Sequence, residues 1–164
     1  MNSRLSQLLP ASNPADYPAP AFYFKVIFPG FNSDTSFQDV SGISREMETE
    51  DVPEGGENGF VHRLPKSVKY QKLVLKRGIS TRKSELVEWC SKVLEGGFAE
   101  KITPRMVHVL LMNADGKAVR AWHFTNAYPV KWVVDGFNST DNKIAIETIE
   151  LSYNSYDMFS KVET

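Results

Sequence analysis

The sequence MVHVLLMNADGKAVRAWHFT, residues 106–125, carries the clearest strand signal in the chain. Residues 106–112 are almost continuously apolar, which is typical of a strand that is covered on both faces. Residues 113–116, NADG, have the composition of a hairpin turn, and residues 119–125 return with Trp122 and Phe124 on one face. The pattern predicts two antiparallel strands joined by a tight turn.

Other segments carry the same kind of signal. Strands are predicted at residues 22–28, 37–40, 69–76 and 144–153, with a further short one at 132–134. In the segment 144–153, Ile144 and Ile146 share one face, whereas Ile149, Leu151 and Tyr153 share the other. Because neighbouring residues of a strand point to opposite faces, we expect a bulge or a change of covering layer near Glu147 and Thr148.

One segment has the period of an amphipathic helix. Ser84 can accept a hydrogen bond from the first free amides, and Gly96-Gly97 ends the pattern. The apolar residues recur at helical spacing between them: Leu86, Trp89, Cys90, Val93 and Leu94. With about seven strands and one helix, the sequence predicts a mainly β fold: an antiparallel β-sandwich or rolled barrel with one flanking helix and a long protruding hairpin loop.

The domain organisation follows from length and composition. A chain of 164 residues is long enough for one domain with a core of its own. Residues 1–20 contain four prolines and are predicted to form an extended arm. Residues 21–156 are predicted to form the single domain, and residues 157–164 a C-terminal tail.

The protruding hairpin is predicted between Arg45 and Lys69, with a glycine-rich tip at residues 55–59. Charge is separated by sign along this part of the chain and the residues that follow. The acids are Glu46, Glu48, Glu50, Asp51, Glu54 and Glu57, and the bases after them are Arg63, Lys66, Lys69, Lys72, Lys76, Arg77, Arg82 and Lys83. Such a separation predicts a dipolar surface that meets a copy of itself head to tail. We assign the six acids and the first six bases to a subunit interface as a hypothesis.

Bulk composition excludes several classes of function. A formal net charge of −1 gives no general attraction to nucleic acid or anionic lipid. No apolar run is long enough to span a bilayer, and residues 1–10 lack the apolar core of a secretory signal. We therefore expect a protein made in the cytoplasm without membrane insertion.

Chemistry-bearing residues are sparse. The histidines are His62, His108 and His123, and although His108 and His123 could face each other across the predicted hairpin, no third ligand is in sight. Cys90, the single cysteine, lies on the apolar side of the predicted helix and is expected to be buried. The glycines at 55–59 match no phosphate-binding motif. We expect no catalytic, metal or cofactor site, and no enzyme.

Two other functions remain open at this point. A nucleic-acid-binding module could use the basic segment 63–83, where Tyr70 and Leu73 interleave with the bases. A small enzyme could use Cys90 or the histidines, and thiol reactivity or metal binding would then be measurable.

Several blocks taken in order resemble the inner tube proteins of contractile phage tails and of phage-tail-like contractile injection systems. The resemblance covers the chain from Tyr17 to Tyr153. Its blocks are Tyr17-Pro18, FYFKV at 22–26, FQDVSGI at 37–43, EGGEN at 54–58, LVLKRG at 73–78, Trp89-Cys90, Ala127-Tyr128-Pro129 and IETIEL at 146–151. The chain departs from the common tube pattern at Leu64-Pro65-Lys66 and by its longer N-terminus. The EGGEN block and the Trp-Cys pair look more like the initiator ring that joins tube to baseplate.

This resemblance implies a structural subunit whose sheets join those of five further copies in a hexameric ring around a lumen. It also implies that rings stack inside a contractile sheath and that the hairpin reaches the next subunit or ring. The implied partners are further copies, paralogous tube rings, sheath, baseplate hub and spike proteins, and luminal cargo. Nucleic acid would be a partner where the lumen carries it.

Overall fold

A computed structural model describes residues 22–32, 36–53, 55–56, 61–79, 84–99, 101–135 and 145–159, with the side chain of Phe98 outside that description. It contains one α-helix, α1 (Glu85–Glu95), and a short 3-10 turn at Gly97–Ala99. The strands are β1 (Tyr23–Ile27), β2 (Ser36–Phe37), β3 (Asp39–Ser41), β4 (Arg45–Pro53), β5 (Val61–Tyr70), β6 (Leu73–Gly78), β7 (Arg105–Met112), β8 (Ala118–Val134), β9 (Ile146–Ser152) and β10 (Ser155–Phe159).

The strands form a rolled, antiparallel barrel. Their order is β2-β1-β7-β8-β9-β6-β3, and β10 pairs with β8 beside this path. β2 and β3 are separated by Gln38, whose amide donates to the carbonyl of Lys76 at 2.9 Å. Because β2 pairs with β1 while β3 pairs with β6, this short stretch closes the sheet on itself. The predicted fold class is confirmed.

β8 is a single 17-residue strand, so the two separate strands predicted at residues 119–125 and 132–134 are continuous. Its first part pairs with β7 and β10, and its second part pairs with β9. The bend between the parts is marked by Asn126, with φ of 52°, and by a register shift between Pro129 and Lys131. A proline can remain within a strand at such an irregularity, because its missing amide is not needed there.

Of the two alternatives predicted near Glu147 and Thr148, the bulge is wrong and the change of covering layer stays a prediction. β9 pairs with β6 without a register shift from Ile146 to Leu151. Glu147 continues the buried face of Ile149 and Leu151, although it is charged. It can do so because Arg77 lies directly opposite on β6. Ile144, which entered the prediction, lies outside the described residues.

The core fills the barrel and the space under α1. It includes Val26, Phe28, Leu73, Leu75, Val107, Val109, Phe124, Ile149 and Leu151, together with Leu86, Trp89 and Cys90 of the helix. α1 begins as predicted, since the Ser84 hydroxyl accepts from the Val87 amide at 3.3 Å. Trp89 meets Phe28 edge-on with 6.1 Å between ring centroids. The predicted helix is confirmed, and Leu86, Trp89 and Cys90 of its apolar stripe are buried, whereas Leu94 is 39% exposed.

The C-terminal boundary differs from the sequence-based expectation. β10 runs to Phe159 and pairs with β8 up to Ala121, so residues 157–159 belong to the sheet and not to a tail. Its residues are polar at Ser155 and Asp157, which hid the strand in the sequence. The predicted arm, residues 1–20, and residues 160–164 lie outside the described residues.

Candidate assembly interface

β4 and β5 form a two-stranded hairpin outside the barrel. They pair with each other and with no other strand in the described part of the chain. Every residue of β5 is exposed, and so is every residue of β4 except the half-buried Glu48. The predicted protruding hairpin therefore exists, and it has no hydrophobic core of its own.

An aromatic cluster joins the root of the hairpin to the barrel. The ring of Tyr70, the last residue of β5, lies 5.8 Å from that of Tyr153 and 5.9 Å from that of Tyr156. The guanidinium of Arg45, the first residue of β4, lies 4.2 Å from the centroid of the Tyr156 ring and donates to the Tyr156 carbonyl. Burial raises the pKa of the Tyr153 hydroxyl to about 12, so Tyr153 is uncharged at neutral pH. The hairpin is thus anchored at one end.

The two faces of the hairpin differ in chemistry. Register pairs Arg45 with Tyr70, Met47 with Val68 and Thr49 with Pro65, and these residues alternate onto one face. We call Met47, Thr49, Pro65, Val68 and Tyr70 the apolar face. Met47 is 57% exposed and Val68 is 41% exposed. The apolar face therefore extends from the aromatic cluster as far as Thr49 and Pro65 and is exposed to solvent.

The opposite side, which we call the charged face, carries Glu46, Glu48, Glu50, Lys66 and Lys69, and Leu64 lies opposite Glu50 on it. Lys66 Nζ lies 3.2 Å from Glu50 Oε2, and Lys69 forms a close ion pair with Glu48. The hydrogen bond and the charge of Glu48 raise the pKa of Lys69. Closer to the tip, and on the same side as Thr49 and Pro65, Arg63 Nε lies 3.3 Å from Asp51 Oδ1. Acidic and basic limbs are therefore paired within one hairpin.

This pairing corrects the predicted dipolar surface. Charges that are separated along the sequence become neighbours across the two strands, because an antiparallel hairpin brings the acidic limb beside the basic limb. The hairpin does not carry one acidic and one basic end. Glu54 and Glu57, which were also assigned to the interface, lie outside the described residues.

The remaining predicted interface bases lie on or beside β6. Lys72 pairs with Glu150 at 3.5 Å, and Lys76 pairs with Asp39 at 3.3 Å. Arg77 is 5% exposed, so it is a core residue and its assignment to a surface is wrong. Six of the bases expected to contact nucleic acid have acidic partners, and Arg82 and Lys83 lie outside the described residues.

Arg77 belongs to a buried network under the start of α1. Its Nε donates to Glu147 Oε2 at 2.7 Å, and its Nη2 donates to the Ser84 hydroxyl at 2.8 Å. The other oxygen of Glu147 accepts from Trp132 Nε1 at 2.7 Å. The network ties the helix N-terminus to β6, β8 and β9. A sequence gives little sign of it, because the partners are distant along the chain.

Cys90 has the buried position expected for it, and the two histidines face each other in half-buried positions. Cys90 is buried, and loss of solvation raises its thiol pKa to about 12. His108 and His123 lie opposite each other on β7 and β8, with 4.3 Å between ring centroids. Burial and the neighbouring His123 lower the pKa of His108. In the described ranges, no three histidine, cysteine or acidic side chains converge in a metal-binding arrangement.

None of the helices in the described part of the chain is long and apolar enough to cross a membrane.

Comparison with known proteins identifies the class. The fold, a barrel with a lateral helix and a projecting hairpin, is similar to that of contractile-tail tube proteins. A chain of an extracellular contractile injection system, the PVC sheath–tube complex, superimposes with a TM-score of 0.75 and shares 23% sequence identity. That alignment covers 89% of this chain and 94% of the other. A chain of the anti-feeding prophage baseplate, symmetrised six-fold, shares 29% identity at a TM-score of 0.73, over 88% of this chain and 97% of that one.

The similarity extends to a chain of the tube-terminating cap of the anti-feeding prophage, with 20% identity, a TM-score of 0.76 and coverage of 97% and 100%. Curated protein sequences give no match. Residues 20–157 match the family described as T4-like virus tail tube protein gp19. The chain belongs to this family, and it is a tail tube subunit of the kind found in contractile injection systems.

Proposed function

We propose that six copies of this chain form a ring around a lumen and that such rings stack in the inner tube of a contractile injection particle. The number of copies is supported by the six-fold symmetry named for the similar anti-feeding prophage baseplate. The role of the chain is structural. Sheath, baseplate hub and spike proteins are its proposed partners, with cargo in the lumen.

The observation that carries this proposal is the exposed hairpin. An isolated two-stranded sheet is marginally stable in water, because it buries too little apolar surface to offset the ordering of its chain. Here β4 and β5 extend away from the barrel with Met47 and Val68 exposed on the apolar face. A neighbouring copy that covers this face would stabilise the hairpin and remove its apolar side chains from water.

We infer that the hairpin docks through its apolar face, whereas the charged face keeps it soluble and straight. The ion pairs on the charged face are already satisfied within the subunit. Attraction between an acidic and a basic limb of different copies would have to break these pairs first. Of the charged residues assigned to the interface, those that the structure places in the hairpin therefore contribute to the shape of the arm: Glu46, Glu48, Glu50, Asp51, Arg63, Lys66 and Lys69.

A second surface for assembly is the free edge of β10. Among the described residues this strand pairs with β8 alone, so its other edge is not paired with a strand there, although the Tyr156 carbonyl accepts from Arg45. Met158 and Phe159 are exposed beside it. Identical neighbours in a closed ring would satisfy such edges without uncontrolled growth.

We further propose that the chain forms the baseplate-proximal initiator ring. The support is the higher identity with the baseplate chain, 29%, than with the sheath–tube chain, 23%. An initiator alone should form single rings or short stacks, whereas a bulk tube protein should form long tubes at the same concentration.

Electron microscopy of the full chain tests these proposals together. Negatively stained particles should appear as rings with six-fold symmetry and a central hole. A chain that stays monomeric at high concentration would overturn the ring proposal. Long tubes in the absence of other proteins would retain the ring but overturn the initiator assignment.

A further inference from the structure

A groove of about 200 Å³ lies beside α1, between its C-terminal half and the segment that leads into β7. Its walls are Trp89, Lys92, Val93, Lys101, Ile102, Thr103 and Arg105. The Trp89 indole N–H donates to the Thr103 carbonyl at 3.2 Å and so ties the two walls together. The groove is therefore a preformed feature of the surface and is separate from the hairpin.

Arg105 is held at the base of this groove. Its guanidinium carbon lies 4.5 Å from the ring centroid of Phe31 and 5.9 Å from that of Trp89. Its Nε is buried without a hydrogen-bond partner, and no ion pair forms on this side chain among the described residues. Stacking between rings fixes the plane of a guanidinium and reduces the entropy lost when it binds an anion.

The charged side chains that line the groove are all basic. Lys92 and Lys101 are exposed on its two walls, and no acidic residue lines it. Glu85 and Glu88 line a neighbouring groove of about 270 Å³ that shares Trp89, Lys92 and Arg105 as its border. Val93 and Ile102 are half-buried and supply an apolar floor. The groove thus combines the Arg105 guanidinium, which lies between two rings, with two exposed ammonium groups and an apolar surface.

We propose that this groove binds an acidic peptide segment of a partner protein. One carboxylate of the segment pairs with Arg105, further acids contact Lys92 and Lys101, and an aliphatic side chain lies over Val93 and Ile102. A carboxylate matches the planar donor arrangement of arginine. The apolar floor favours a peptide over a phosphate backbone, which would leave Val93 and Ile102 uncovered.

Fluorescence anisotropy of labelled peptides with the full chain tests the proposal. The probes are a short capped peptide of alternating glutamate and leucine and a matched peptide with lysine in place of glutamate. The acidic probe should bind, and salt should weaken its binding. Arg105→Gln and Lys101→Glu should each weaken binding at least about tenfold, because a charged partner in the groove is lost or reversed.

Lys117→Glu is the matched control, since it makes the same charge change at an exposed turn outside the groove. The proposal is overturned if neither peptide binds, if the lysine peptide binds as tightly, or if Lys117→Glu weakens binding as much as Lys101→Glu. Because Lys101 is exposed, its variant remains informative if Arg105→Gln fails to fold. A change in self-association by Lys101→Glu without an effect on peptide binding would assign the groove to a second copy and contradict the proposal.

Discussion

The barrel and the hairpin use the same kind of cross-strand ion pair in opposite environments. Arg77 and Glu147 pair between β6 and β9 with side chains 7% and 5% exposed, whereas Arg63 and Asp51 pair between β5 and β4 with side chains 76% and 60% exposed. The buried pair is costly to break, because a single remaining charge cannot be solvated. An exposed pair can exchange its partner for water at little cost. Internal contacts thus stabilise the barrel, whereas the stability of the hairpin depends on the partner that covers it.

The largest expected effect comes from breaking the buried pair. Glu147→Ala should lower the free energy of unfolding by about 3–5 kcal/mol, since Arg77 and the Trp132 indole would both lose their buried acceptor. Urea denaturation followed by circular dichroism measures the loss. Replacing Arg77 and Glu147 together by methionine should recover part of it. A loss below about 1 kcal/mol for Glu147→Ala would place this pair with the exposed ones and contradict the comparison.

A smaller loss is expected where the barrel meets the hairpin. Gly42 has φ of +83°, and a Cβ there would lie 1.9 Å from the Lys72 carbonyl oxygen. Gly42→Ala should therefore lower the free energy of unfolding by roughly 1–3 kcal/mol, because alanine is strained at this φ and its Cβ must displace the Lys72 carbonyl. Gly56→Ala is the control, because Gly56 has φ of +109° with nothing within 4 Å. Equal losses at both sites would show that the close approach at Gly42 is unimportant.

The histidine pair on the barrel should make stability depend on pH. The pKa of His108 lies below its usual 6.5 in the folded chain, so the unfolded chain binds this proton more tightly. Stability should be complete above pH 6.5 and should fall as the pH drops through 6.5 toward the folded pKa of His108. Two charged residues lie near the histidine pair. Asp157 of β10 is opposite His123, and Lys25 of β1 is opposite Leu110, two residues along β7 from His108.

Urea midpoints between neutral pH and pH 5 measure this dependence. His123→Phe should reduce it, because the neighbouring histidine contributes to lowering the pKa of His108. His62→Gln changes an exposed histidine of the hairpin and should leave it unaltered. The explanation fails if His62→Gln reduces the dependence and His123→Phe does not.

The smallest effect on the subunit is expected in the exposed pairs of the hairpin. Asp51→Asn and Lys66→Gln should each change the free energy of unfolding by about 0–1 kcal/mol, because their partners remain solvated. The same urea measurement applies. A loss near that of Glu147→Ala would mean that these pairs are covered within the subunit, which their exposure contradicts.

The sequence was informative where neighbouring residues determine the structure. Ser84, the apolar stripe of α1 and the glycines after it predict the helix, since capping and helical period are local. The hairpin was predicted for the same reason. The pairing of Glu147 with Arg77 could not be predicted, because it depends on the register between strands that are distant in the sequence. A buried glutamate was not expected, so the change in the apolar pattern at Glu147 was interpreted as a bulge or a change of covering layer.

The site was predictable in position but not in chemistry. Residues 45–69 were assigned to a protruding hairpin, and the charge runs were interpreted as attraction between copies. Pairing across the hairpin uses those charges within one subunit, as Glu50 and Lys66 show. The apolar face escaped notice because Met47 and Val68 are scattered among charges in the sequence and come together only across the strands.

Electron microscopy of two hairpin variants tests the central claim most directly. Met47→Glu with Val68→Glu places charge on the apolar face, and Glu50→Lys with Lys66→Glu exchanges the partners of one ion pair while keeping the net charge. We predict six-fold rings for the wild type and for the exchanged pair, and no rings for the variant of the apolar face. Rings from the apolar-face variant, together with loss of rings on exchange of the ion pair, would contradict the account.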